Sequence, residues 1–151
     1  MSSSLNFVKR RIASVTWMTS RYGAKSHGKA LYRELGGKSG IRALMDHTVN
    51  LIRVDQRINH YFNPELWGFL KQQLTAQICQ LSGGSCVYRG PTMAQTHRGM
   101  NITSAAFNAL VEDLEKAMAA RRVPLAAQNA LLRILAPMKP AVINNGRALH
   151  S

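Results

Sequence analysis

The sequence predicts an all-α domain, and three observations carry that expectation. From Leu31 onward apolar residues recur at steps of three and four. Turn signals interrupt them at Gly36-Gly37, Asn63-Pro64, Gly83-Gly84, Gly90-Pro91 and Val123-Pro124. No stretch alternates apolar and polar residues long enough to argue for a sheet. A chain of 151 residues suits one core, enough to remove roughly 70% of its extended surface from water. Its 46% apolar and 18% charged content excludes a disordered chain. No apolar run approaches the ~18 residues that span a bilayer, and no secretion signal is legible, so the default expectation is a soluble cytoplasmic protein.

Residues 1–28 read as a basic, Ser-rich, acid-free extension, with the domain occupying 29–151. Leu5, Phe7, Val8, Ile12, Val15 and Trp17 fall at roughly helical intervals there. Such a segment suits an anionic membrane surface or organelle targeting, or a loose helix capping the core. The net charge of +13 attracts anions generally. Much of it belongs to this leader, since the first 33 residues carry seven Lys and Arg and no acid.

The first long helix carries Ile41, Leu44, Met45, Thr48, Val49, Leu51 and Ile52, with Ser39 as its expected cap and Asp55 starting the turn beyond it. The second begins near Pro64 and places Leu66, Phe69, Leu70, Leu74, Ile78 and Leu81 on one stripe before Gly83-Gly84 stops it. Thr103 or Ser104 caps a third, carrying Phe107, Leu110, Val111, Leu114 and Met118. Pro124 opens a fourth with Leu125, Leu131, Leu132, Ile134, Leu135 and Met138, whose end Pro137 and Pro140 kink or break. Residues 82–102 are too rich in Gly and Pro for a long helix, and loops of that length in compact domains are usually functional.

Enzyme constellations are mostly absent: there is no phosphate loop, no G-x-S-x-G and no H-E-x-x-H. Glu112, Asp113 and Glu115 lie within one turn and read as a solvated face. Cys79 and Cys86, seven apart, match neither a C-x-x-C pair nor the covalent heme attachment motif, and read as buried apolar thiols. Of five histidines, His97 differs by its setting, a Met-x-x-x-His turn flanked by glycines between two apolar helices. One imidazole over an apolar cavity is how a protein ligates heme iron without covalent attachment.

Around that histidine several motifs fall in order: Leu31-Tyr32-Arg33-Glu34-Leu35-Gly36-Gly37, Tyr61-Phe62, Gly83-Gly84, Tyr88-Arg89-Gly90-Pro91-Thr92-Met93 and His97-Arg98-Gly99-Met100-Asn101-Ile102-Thr103. Over about residues 30–143 the chain resembles the truncated hemoglobins, most closely their first group. The resemblance implies a globin-like two-over-two helical sandwich around a non-covalent heme b, with His97 as proximal iron ligand. Phe62 takes the place of the phenylalanine on the porphyrin, and Leu66, Leu70, Tyr88, Met93, Ile102, Phe107 and Ile134 further positions of the heme wall. Lys71, Arg89 and Arg98 are the cations expected near the propionates.

Departures from the family pattern are equally informative. The usual Phe-Tyr pair on the first long helix, whose hydroxyl donates to bound oxygen, is replaced by Thr48-Val49. The implied ring around the ligand is then Val49, Leu70 and Leu74, with Gln73 and Gln77 as the remaining polar candidates. A hydrogen bond to polarised dioxygen is worth ~1.5–3 kcal/mol, so fast oxygen release is expected unless a glutamine supplies the donor. A neutral amide is a poor iron ligand, so an open or water-bound sixth position is expected. The leading reading is reversible binding of O2, CO or NO, more a ligand-binding protein than a dedicated enzyme, served by an unidentified reductase. Heme-dependent nitric oxide removal, peroxidase chemistry, or a basic helical module on nucleic acid or membrane are the alternatives. No specific nucleic-acid partner is expected.

Overall fold

The computed structural model describes residues 29–143. The basic extension read over 1–28 lies outside the described residues. Within them the chain is helical: α1 (Ala30–Glu34), α2 (Gly37–Val54), α3 (Trp67–Leu81), α4 (Met93–His97), α5 (Ser104–Ala120), α6 (Leu125–Leu135) and α7 (Lys139–Val142). Single 3-10 turns at Asn59–Tyr61, Pro64–Leu66 and Ala136–Met138 complete the order. No described helix is long and apolar enough to cross a membrane.

The periodicity explains the arrangement. On α2, Ile41, Leu44, Met45, Thr48, Val49 and Ile52 form one buried stripe, the 3.6-residue face of a helix packed on both α3 and α5. Helix α5 is buried on several sides, touching α2, α6 and α7, and α1 closes against α2 and α6. The main core joins these elements through Leu31, Leu44, Ile78, Leu114, Met118 and Leu131. A second, smaller cluster of Ile52, Ile58, Ile102, Ala106 and Ala109 is ringed by half-buried aromatics, Tyr61, Phe62 and Trp67.

Helix ends follow local chemistry. Helix α2 is capped by Gly36 in the left-handed region (φ 95°), which leaves Ser39 inside the helix instead of at its cap. Thr103 caps α5, its side chain accepting from the Ala106 amide. Pro124 precedes α6, whose α-helical run ends at Leu135. Pro137 and Pro140, each at the start of a new short turn, divert the chain into the 3-10 segment and α7 without ending the helical path.

Two further expectations are overturned. Cys79 and Cys86 are joined in a disulfide with Cα atoms 5.7 Å apart, not held as separate thiols. The cause is the Gly83-Gly84 reversal, where the Gly84 amide donates to the Cys79 carbonyl at 2.8 Å. A Cβ on Gly84 would meet the Tyr32 ring at 2.5 Å and the Cys79 sulfur at 2.7 Å. Only glycine lets the chain fold back this tightly, bringing Cys86 to Cys79. Nor is the acidic turn of α5 a solvated face: Asp113 and Glu115 are buried, because α5 packs on several neighbours.

Asp113 faces the end of α2, where Arg57 ties three acids together. Its guanidinium reaches Asp55 at 2.9 Å, Glu112 at 2.9 Å and Asp113 at 3.9 Å. Burial, followed by the neighbouring Asp55 carboxylate, pushes the Asp113 carboxyl up to about 7. The Arg57 hydrogen bond holds Asp55 well below the usual carboxylate range. The two acids are thereby pushed apart, so that below about pH 7 Asp113 holds its proton while Asp55 stays charged.

Candidate functional site

A cavity of about 400 Å3 opens between α3, α4 and α5, on the side of the smaller core cluster. Its walls are overwhelmingly apolar. Phe62, Leu66 and Leu70 line it from the turn before α3 and from α3 itself, Ile102 and Phe107 from the start of α5, and Tyr88 and His97 from the 82–102 segment. The large apolar side chains at its lip stay open to solvent: Leu66 is 50% and Phe69 57% exposed.

His97 ends a helix of only five residues, far too short to hold itself in water. A reciprocal capping box fixes it: the Gln95 amide donates to Thr92 Oγ1 at 3.1 Å, and the Thr92 amide donates to Gln95 Oε1 at 2.9 Å. Before this helix, the Tyr88 hydroxyl donates to the Pro91 carbonyl at 2.9 Å. After it, Gly99 adopts φ 77°, a left-handed turn toward α5 that side chains rarely tolerate. Within the helix, His97 Nδ1 lies 2.7 Å from the Met93 carbonyl. A carbonyl acceptor at Nδ1 fixes the tautomer that presents the Nε2 lone pair to a metal.

The other residues singled out in the sequence divide. Gln73 lines the cavity, half-buried, and its amide has no hydrogen bond among the described residues. Gln77 instead directs Nε2 to the Met93 sulfur at 3.5 Å, which engages both side chains with each other. Val49 is fully buried and outside the lining, and the Thr48 hydroxyl donates to its own helix, at the Leu44 carbonyl, 2.8 Å away. Leu74 and Ile134 pack on the main core. Lys71 pairs with Asp46 at 2.6 Å along a separate cleft. Arg89 and Arg98 are exposed neighbours of Tyr88 and His97, without an ion pair among the described residues. Tyr61, Trp67, Phe69, Met100 and Leu110 line the cavity without having been singled out. Leu110 shares the Phe107 face one turn on, a signal present in the sequence; Phe69 belongs to the stripe read for α3, which does not separate cavity wall from ordinary packing.

This geometry has counterparts. A family model described as bacterial-like globin matches residues 30–144. The group 1 truncated hemoglobin GlbN of Nostoc sp. (strain MUN 8820) is 30% identical over 114 residues, 76% of this chain and 97% of that protein. The chain belongs to the group 1 truncated hemoglobins. It is therefore a heme-binding globin with the two-over-two fold. The crystal structure of truncated hemoglobin from Tetrahymena pyriformis in the Fe(III) form superposes with a TM-score of 0.72 at 25% identity, covering 75% of this chain and 97% of that one. The 2/2 hemoglobin from Synechococcus sp. PCC 7002, in the cyanomet state and with covalently attached heme, matches in fold at a TM-score of 0.71 and 21% identity, over 76% and 98% of the two chains. Binding of a diatomic ligand follows from membership of the globin family.

Proposed function

We propose that His97 ligates the iron of a non-covalently held heme b through Nε2, and that the protein binds oxygen and related diatomic gases reversibly, with Gln73 as the donor that retains oxygen. The observation that carries this is the single imidazole with its Nδ1 engaged by the Met93 carbonyl, set in an apolar cavity of about 400 Å3. The donor set suits the group: a flat apolar macrocycle needs apolar walls and one nitrogen ligand. Phe62, Leu66, Leu70, Tyr88, Ile102 and Phe107 supply those walls. Arg89 and Arg98 are the cations for the propionates, while Lys71 already has Asp46 as a partner. When bound, the heme supplies an iron centre with a free coordination position for the gas.

The remaining chemistry is the chain's own. The apolar walls offer a macrocycle a better surface than water does, and the imidazole is oriented before any cofactor arrives. Gln73 is the polar side chain proposed to reach the gas from α3. In place of a tyrosine hydroxyl the chain presents Val49, buried away from the cavity. Oxygen, the most polarised of the three gases when bound, is the one that depends on a donor. Stopped-flow release tests this: Gln73→Leu is expected to speed oxygen release roughly tenfold while changing carbon monoxide release less than about twofold, the loss of one hydrogen bond to a charged group. Equal effects on both gases, or none on oxygen, remove Gln73 from the pocket's chemistry.

A further inference from the structure

A second cleft, of about 610 Å3, runs between α2 and α3 on the face that carries Lys38, Arg42 and Lys71, and Cys86 forms part of its wall. Its one acid, Asp46, is paired with Lys71. Lys38 and Arg42 are exposed and carry no ion pair among the described residues, so the cleft presents net positive charge beside a disulfide. The two sulfurs are unequal. Cys79 is fully buried in the main core, whereas Cys86 is half-buried and borders the cleft. Two residues beyond Cys86 stands Tyr88, a wall of the heme cavity. Residues 85–88 are otherwise tied to the body by the Tyr88 amide donating to Gln80 Oε1 at 2.7 Å.

We propose that Cys79–Cys86 is a reversible redox site, opened by a small anionic thiol of the glutathione class that enters the cationic cleft. The thiolate of the incoming molecule attacks the Cys86 sulfur, because that sulfur alone borders the cleft. A new sulfur–sulfur bond forms there, the Cys79–Cys86 bond breaks, and Cys79 leaves with the electron pair and takes up a proton. A second thiol then attacks the mixed disulfide on the small-molecule sulfur. It releases the Cys86 thiolate and carries away the oxidised thiol dimer, so that two thiols are oxidised as one protein disulfide is reduced. Lys38 and Arg42 raise the local concentration of the anionic thiol and favour its thiolate. Opening removes the covalent tie between α3 and the segment that positions Tyr88. The chemical step is independent of the heme assignment.

The test uses the full-length, hemin-loaded protein, treated with glutathione or with uncharged 2-mercaptoethanol, quenched with an alkylating agent and mapped by peptide mass spectrometry. Glutathione is expected on Cys86, with Cys79 alkylated. The exposed double substitution Lys38→Glu, Arg42→Glu is expected to slow glutathione about three- to tenfold at low ionic strength, and 2-mercaptoethanol less than twofold, with salt erasing the difference. Hydrogen exchange over residues 85–92 should rise on reduction and in Cys86→Ser, while α5 stays protected. The proposal is overturned if the native disulfide resists both thiols, if the adduct sits on Cys79, if charge reversal slows both thiols equally, or if exchange over 85–92 is unchanged.

Discussion

The two apolar clusters of this molecule are both built from aliphatic side chains, yet they end differently. Around Leu31, Leu44, Met118 and Leu131 the side chains meet partners from several helices and leave almost no exposed surface. Around Ile52, Ile58, Ile102 and Ala106 the helices stay apart, and aromatic side chains surround a cavity they do not fill, with Leu66 and Phe69 open at its lip. What separates them is the 82–102 segment. A one-turn helix set by a Thr92–Gln95 capping box stands where a full helix would close the second cluster. Apolar periodicity therefore specifies burial, and the breaks in it specify what does the burying.

Substitutions at the two clusters should behave differently. Leu131→Ala, in the closed core, is expected to cost about 2–5 kcal/mol in denaturant unfolding whether or not hemin is present. Leu110→Ala, on the cavity wall, should cost the hemin-free protein less than about 1.5 kcal/mol, because its neighbours there already lack partners, and should speed hemin loss severalfold. If both variants respond to hemin alike, the cavity is simply more core.

The same contrast explains what the sequence could disclose. The four long helices, the turns between them, and His97 in its Gly- and Pro-bounded segment were legible, because caps, breaks and the 3.6-residue period are local signals; the short helices α1, α4 and α7, too brief to show a period, were not. Which leucine faces which cluster was not. Leu70 lines the cavity and Leu74, one turn on, packs on the closed core; both belong to one stripe, and only the tertiary packing around α3 distinguishes them. Gln73 and Gln77 divide for the same reason, the latter drawn to the Met93 sulfur. The disulfide was hidden because a seven-residue spacing does not say which way a Gly-Gly turn folds. Asp113 looked solvated because its burial depends on Asp55 and Arg57, more than fifty residues earlier.

That polar junction, at the boundary between the clusters, yields a smaller and pH-dependent effect. The ordinary Asp value is 3.8, and in the folded protein Asp113 is raised to about 7. The native state thus holds a proton that the unfolded chain releases between roughly pH 4 and 7, so this contribution is complete below that window and is lost as pH rises through 7. Asp55, lowered by Arg57, works the other way: its contribution is present above its ordinary value and lost on acidification below it. Asp113→Asn should abolish the decline between pH 4 and 7 and surpass the unmodified protein at pH 8, by about 1–3 kcal/mol for a buried carboxylate whose Oδ2 has no hydrogen bond among the described residues. Unfolding curves across pH check it; a decline that survives the substitution assigns it to another group.

The smallest effect is expected at Lys71→Gln, which breaks an exposed pair with Asp46 and should change stability by no more than about 1 kcal/mol, leaving hemin loss unaltered. Hemin loss accelerated severalfold there, and not in Arg98→Gln, would move the propionate contact from the rim of the cavity to α3.

The most direct test replaces His97 with glycine and titrates hemin into the purified full-length protein, following the Soret band and adding free imidazole at the end. The account predicts weak uptake with an altered band, restored toward the parent spectrum by imidazole, and far-UV dichroism unchanged. Hemin uptake and a spectrum equal to those of the parent without imidazole would contradict it.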